Sequence, residues 1–185
     1  MAPHPSADDP RTDAALAAQA GAGDVASFEA LYRRHRDWVA GLAFRFTGDR
    51  DAALDVMQET FLYLLRKLPT LRLEARLSTF LYPVVKHLAR DARVKAKRAA
   101  EGNEELAKRT AERSGTENSL GGLETAVAGL SEEHRETLLM RFVDGMTLAE
   151  IAQALEIPLG TVKSRLHAAV TALRSDPRTR EYFSE

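Results

Sequence analysis

The 185-residue chain has no cysteine. That excludes disulfides, thiol redox sensing, zinc fingers and Cys-ligated metal, and it fits a reducing cytosol. A surplus of one charge is missing too. Lys and Arg total 26 against 27 Asp and Glu, a formal net charge of -1. A globally basic nucleic-acid binder is therefore excluded, and any DNA affinity must come from local patches or from a partner that brings the DNA along. No apolar run reaches the roughly 20 residues of a membrane-spanning helix, so no membrane insertion is expected. The opening MAPHPSADDPRTD has neither the basic start nor the apolar stretch of a signal peptide. The expected location is the cytoplasm. Period-two alternation bounded by turn residues is also absent, which argues against strands. His4, His35, His87, His134 and His167 are scattered without metal-ligand spacing, and no Gly-rich phosphate loop or nucleophile elbow occurs. No metal, cofactor or catalytic centre is expected, and His35, on an apolar stripe, reads as a packed core residue.

What is present is helical periodicity. Hydrophobic residues make up 44% of the chain, enough for packed cores in one large or two small domains. Residues 1–13, rich in Pro, Asp and Ser, read as a mobile tail. Residues 14–98 read as one helical domain. In it Phe28, Leu31, Tyr32, His35, Val39, Leu42 and Phe46 recur at three- and four-residue steps, with Arg33, Arg34, Arg36 and Asp37 opposite. Gly48-Asp49 breaks that run. A second stripe carries Ala53, Val56, Met57, Thr60, Phe61, Leu64, Leu65 and Leu68, and Pro69 stops it. A third helix begins near Ser78 or Thr79. Residues 99–122 have few large apolar residues and the pair Gly121-Gly122, the composition of a flexible linker with at most a transient helix.

Periodicity resumes in a second helical domain, residues 123–175, followed by a C-terminal tail, 176–185. Ser131 is a predicted N-cap with Glu132 and Glu133 in the first turn. Leu138, Leu139, Phe142 and Val143 are the expected core face of that helix, and Gly145 its left-handed cap. Then comes a helix-turn-helix pattern. Thr147 with Glu150 forms a capping box, and Leu148, Ile151, Ala152 and Leu155 give an apolar face. Glu156-Ile157-Pro158 interrupts, with Pro158 suited to the opening of the next helix. There Val162, Leu166, Val170 and Leu173 form the buried stripe. Thr161, Lys163, Ser164, Arg165 and His167 are left outward, the residue types that contact base edges and phosphates in a major groove. An ordinary helical hairpin with a solvated polar face has the same pattern.

Cations gather in one segment. Between Leu71 and Ala100 stand Arg72, Arg76, Lys86, Arg90, Arg93, Lys95, Lys97 and Arg98, against only Glu74 and Asp91. Phe80 and Tyr82 lie beside them, and aromatics next to cations suit stacking of unpaired bases on a held phosphate backbone. Phe80 equally fits a core position, whereas the basic strip points to phosphate contact.

Taken in order, these pieces resemble the small, extracytoplasmic-function (ECF) sigma factors of bacterial RNA polymerase, from Ala20 to Arg174 apart from the linker. Phe28-Glu29-Ala30-Leu31-Tyr32 resembles the family's opening helix. Asp55-Val56-Met57-Gln58-Glu59-Thr60-Phe61 resembles the motif that docks on the polymerase clamp helices. Leu71 to Leu81, LRLEARLSTFL, aligns without gaps to the loop and helix that open DNA and read the -10 element. LSEEHRETLLMRF and GMTLAEIAQALEIPLGTVKSRL are close to the -35-binding domain. The resemblance implies an all-α, two-domain promoter-specificity subunit whose C-terminal domain is a helix-turn-helix. Its implied partners are core RNA polymerase, promoter DNA and an anti-sigma factor. It implies core-polymerase contact by Asp55, Gln58, Glu59 and Phe61. For the -10 element it implies Arg72, Arg76, Ser78, Thr79, Phe80, Tyr82, Lys86, His87, Arg90 and Arg93. For the -35 element it implies Thr161, Lys163, Ser164, Arg165 and His167. An autonomous helix-turn-helix regulator and a sigma-like decoy for a regulatory protein are the alternatives.

The chain departs from the family pattern at several places. Phe80 stands for the usual Trp, His87 for Asn, Leu54 for Glu and Glu156 for the Gly of the turn. Ala168, Ala169 and Val170 stand where arginines are frequent, which predicts fewer phosphate contacts. Tyr82-Pro83 is unusual inside a helix because proline removes a hydrogen bond, so a later start or a kink is expected.

Overall fold

The computed structural model describes residues 9–101 and 121–182. Among the described residues there are helices and turns but no strands, and the chain divides into two units.

The N-terminal unit holds α1 (Asp13–Gly21), α2 (Val25–Thr47), α3 (Arg50–Lys67) and α4 (Leu77–Glu101). Each of the first three starts where an oxygen-bearing side chain can satisfy an orphan amide. Thr12 accepts from Ala15 N, Asp24 from Ser27 N and Asp49 from Ala52 N at 2.9–3.2 Å. The α2 run ends at Gly48, whose φ of 70° closes the helix in the left-handed region that glycine tolerates. Leu31, Val39, Leu42, Leu64, Leu68, Leu77, Leu81 and Val85 are buried where α2, α3 and α4 pack together. The end of α1 lies close to the end of α3. A Cβ on Gly21 would stand 2.5 Å from the Leu68 carbonyl oxygen, so only glycine fits that approach.

Several expectations are corrected here. Asp9 to Asp13, expected in a mobile tail, are held down. The Arg34 guanidinium donates to the carbonyls of Asp9 and Arg11 and, at 2.6 Å, to the Asp13 carboxylate, while His35 Nε2 lies 2.9 Å from the other Asp13 oxygen. Arg34 is therefore mostly buried rather than on the solvated side, and His35 is buried. Leu65, expected on the buried stripe, is 46% exposed. α4 starts at Leu77 and passes through Pro83 without interruption, with Pro83 exposed. It runs on through Glu101, past the expected boundary at residue 98, and residues 102–120 of the expected linker lie outside the described residues.

The C-terminal unit holds α5 (Gly122–Ala128), α6 (Glu132–Phe142), α7 (Leu148–Leu155) and α8 (Leu159–Ser175), then a 3-10 turn over Pro177–Tyr182. Thr147 and Glu150 form the predicted capping box, at 3.2 and 2.7 Å. Met140, Met146, Ile151, Val162 and Ala169 are fully buried, and α8 packs on both α6 and α7. Phe142 and Val143, expected in this core, are 64% and 51% exposed. Leu138 is buried as expected, and Thr137 and Met140 join it on the inward face. Residues 177–182, expected in a tail, are part of the unit. Thr179 is fully buried, and its hydroxyl donates to the carbonyls of Leu173 and Asp176. The carbonyl of Arg178 sits so near α5 that a Cβ on Gly122 would come within 2.6 Å of it.

Two predictions follow from these local environments. Burial of Asp13 opposes its ionisation, but hydrogen bonds and charge from His35 and Arg34 outweigh it and lower the pKa from 3.8 to about 2. A depressed carboxylate contributes stability above its unfolded pKa and loses it as pH falls from about 4 towards 2. Asp13→Asn should therefore cost about 2 kcal/mol at pH 7, a difference that closes in that acid window. Urea unfolding followed by Trp38, the single tryptophan, reports this unit alone; a pH-independent difference contradicts the ion-pair origin. In the second unit Glu156 holds φ 54° as the C-cap of α7, the only non-glycine at positive φ among the described residues. Glu156→Gly should stabilise that unit by about 1 kcal/mol, read as a rise in its circular-dichroism melting temperature; a fall contradicts the strain.

Candidate polymerase and nucleic-acid interfaces

On α3 the residues Asp55, Gln58, Glu59 and Leu62 are three or four positions apart, so they share one face, and all four are exposed. Leu54 and Leu65 flank that face at 49% and 46% exposure, and Leu62 itself is 50% exposed. An acidic-polar surface with leucines inside it suits a basic, partly apolar partner. Family resemblance puts Phe61 at this surface and does not single out these leucines. Phe61 is 4% exposed and meets Tyr32 edge-on, with ring centroids 4.7 Å apart. It is a core residue, and its place on the stripe of Ala53, Val56, Thr60 and Leu64 already carried that signal. The corresponding signal for Leu62 is its spacing, four residues after Gln58 and off the buried stripe.

The segment from Leu71 to Arg76 is non-helical and presents exposed Arg72 and Arg76 ahead of α4. Ser78 and Lys86 are half-buried. Phe80 is half-buried too and stacks on Tyr63, the ring planes 26° apart with centroids at 6.2 Å. Thr79 and Tyr82, each 3% exposed, belong to the core, and Tyr82 packs edge-on against Phe46. Both leave the list of surface contacts. Further along, His87, Arg90, Arg93, Lys95, Lys97 and Arg98 are all exposed. Asp91, 3.4 Å from His87 Nε2, is the one acid between Arg90 and Arg98. This half of α4 is a basic rod, able to follow a phosphate backbone.

In the second unit, Lys163, Ser164 and His167 are exposed on α8 and Thr161 is half-buried. The Ser164 hydroxyl donates to the Thr161 carbonyl at 3.0 Å. Arg165 differs from them. Its side chain is 20% exposed and pairs with Glu133 of α6, Nη2 to Oε2 at 2.9 Å. The helix-turn-helix is thus built as predicted, with three of its five expected contact residues exposed and two, Thr161 and Arg165, half-buried. Among the described residues no cluster of His, Asp and Glu could hold a metal ion.

Comparison with known proteins bears on these surfaces. The Sigma-70 region 2 model matches residues 31–99, and the Sigma-70, region 4 model matches residues 126–175. The ECF RNA polymerase sigma factor SigL of Mycobacterium tuberculosis is 36% identical over 162 residues, covering 84% of this chain and 91% of that protein. The chain belongs to the ECF RNA polymerase sigma factors. SigW of Bacillus subtilis is 26% identical over 172 residues, with 84% of this chain and 91% of that protein covered. Among solved structures CnrH, determined in complex with the cytosolic domain of CnrY, matches with a TM-score of 0.64 at 25% identity, covering 86% of this chain and 93% of that chain. RpoE of Bartonella quintana, determined with the anti-sigma factor NepR, shares the fold, with a TM-score of 0.61 at 18% identity over 81% of this chain and 96% of that chain. In this sigma factor no described helix is long and apolar enough to cross a membrane.

The reassignment of Phe61 is testable. Phe61→Ala should destabilise the N-terminal unit of this sigma factor by about 3 kcal/mol, as large aromatic deletions in cores do. Denaturant titration of Trp38 fluorescence measures it. Stability within about 0.5 kcal/mol of the parent, with only polymerase affinity lowered, would return Phe61 to the surface.

Proposed function

We propose that the chain binds core RNA polymerase and directs promoter recognition, DNA melting and initiation as a non-catalytic subunit in the cytoplasm. The α3 face of Asp55, Gln58 and Glu59, with Leu62 among them, docks on the polymerase. Arg72, Arg76, Ser78, Phe80, Lys86, His87, Arg90 and Arg93 hold and read the -10 region. Lys163, Ser164 and His167, with Thr161 at the edge, face the -35 element. An anti-sigma factor covers the chain when it is silent. That last reading is supported by family membership and by large exposed apolar side chains in each unit, Leu54 and Leu62 in one, Phe142 and Val143 in the other.

The observation that carries this reading is the placement of exposed charge on a chain of net charge -1. Carboxylates stand on α3 and cations on the outer half of α4. Weak local DNA contacts in such a chain gain strength only when a larger body holds them near DNA, because a second contact then acts at a raised effective concentration. Capturing an unstacked base offsets a cost of about a few kcal/mol per base, so the loop before α4 must discriminate among bases.

Run-off transcription with purified core polymerase tests the proposal. Specific initiation supports it, DNA binding indifferent to core supports an autonomous regulator, and neither outcome supports a decoy. Replacing Asp55 and Glu59 with Lys should weaken core association about tenfold or more, as reversed rim charges do, while the fold, by circular dichroism, stays intact. Unchanged affinity for core removes the docking assignment.

A further inference from the structure

Arg165 occupies a different environment from the other polar residues of α8. It lies three residues after Val162 and four before Ala169, both fully buried, whereas Lys163, Ser164 and His167 are exposed. Its side chain is 20% exposed, against 65% for its partner Glu133. Glu133 sits in the first turn of α6, behind the Ser131 N-cap, where the helix dipole favours a carboxylate. A guanidinium withdrawn this far from water is costly unless paired, and the 2.9 Å contact to Glu133 supplies the pair. To read a base edge Arg165 would have to leave that carboxylate and present its fork outward, losing the pair.

We infer that Arg165 is a positioning residue: with Glu133 it clamps α8 to α6 and fixes the angle at which α8 meets DNA, leaving base discrimination to Lys163, Ser164 and His167. This rests on the assignment of α8 to the upstream promoter element. It separates two jobs that the sequence pattern had joined, since Arg165 stands among four outward-reading polar neighbours in the chain. It also makes Glu133, outside the helix-turn-helix, part of the DNA-binding apparatus. The first turn of α6 steadies the reading helix, so losing the pair lowers affinity by loosening that helix without exchanging the side chains that read the bases.

The test uses holoenzyme formed from the full chain and core polymerase, selecting from a promoter pool randomised in its upstream element, with the selected duplex then used as the binding probe. Arg165→Gln should weaken binding about fivefold, within the range of coupled side-chain pairs, and select the same upstream sequence as the parent. Lys163→Ala and His167→Ala should each alter the selected sequence. Glu133→Arg combined with Arg165→Glu should recover binding to within about twofold of the parent, because the pair is restored with its charges exchanged. A changed base preference for Arg165→Gln overturns the inference, and so does a folded charge-exchange variant that recovers nothing. Melting of the C-terminal unit is read in parallel by circular dichroism. Arg165→Gln should lower it and the charge exchange should restore it. If no α8 substitution alters selection, the DNA assignment of α8 falls. The melting series then decides the clamp alone, and unchanged melting temperatures overturn it.

Discussion

A helix in a small bundle offers each side chain either the core or the solvent, and function in this chain depends on that exclusion. About 3.6 residues per turn leave one stripe buried and the rest outside. On α3 the stripe of Ala53, Val56, Thr60, Phe61 and Leu64 is buried, which leaves Asp55, Gln58, Glu59 and Leu62 outside, the face proposed for polymerase contact. On α8 the stripe of Val162, Ala169 and Leu173 leaves the opposite side outside, the side proposed to face DNA. Neither interface is a pocket. Both are the faces left over once the cores are satisfied, held rigid because those cores are close-packed.

Electrostatics then gives each leftover face its partner. The near-balance of 26 cations and 27 acids masks a strong separation along the chain. The exposed length of α4 from Arg90 to Arg98 is almost purely basic, and α3 presents carboxylates around a leucine. Such a division disfavours tight binding of the free chain to DNA while giving each face a complementary surface elsewhere. A specificity subunit benefits from that weakness, since a free copy that bound promoters alone would occupy them without polymerase.

Much of this was legible in the residues. The capping box at Thr147 and Glu150, the helix break at Gly48, and most of the stripes of α2 and α8 are local features, fixed by hydrogen bonds and periodicity within a few residues, whereas Gly145, though at φ 65°, follows a cap made by Val143. What the residues did not disclose is long-range or depends on phase. The anchoring of Asp9 to Asp13 needs Arg34 and His35 on another helix, and the packing of Thr179 and Arg178 needs a return to α5 and α8. Thr79 is placed at the surface by family position alone, and Tyr82 also by its neighbouring cations, yet both are buried. The rotation of α4 that buries them is settled by contacts with α2 and α3, such as Phe46 on Tyr82. Phe142 and Val143 failed in the opposite sense, because an apolar residue late in a helix reads as core whether or not anything covers it.

Those uncovered apolar residues bear on why the molecule is built as two units. Each unit keeps large apolar side chains exposed, Leu54, Leu62 and Leu65 in one and Phe142, Val143 and Leu159 in the other. Folding alone gives no reason to leave them out, since burial of each is worth about 1.5–3 kcal/mol. Apolar side chains grouped at a surface suit a partner that covers them. Under the proposed function, a partner that covers these side chains also bears on whether the basic rod of α4 and the exposed face of α8 reach DNA.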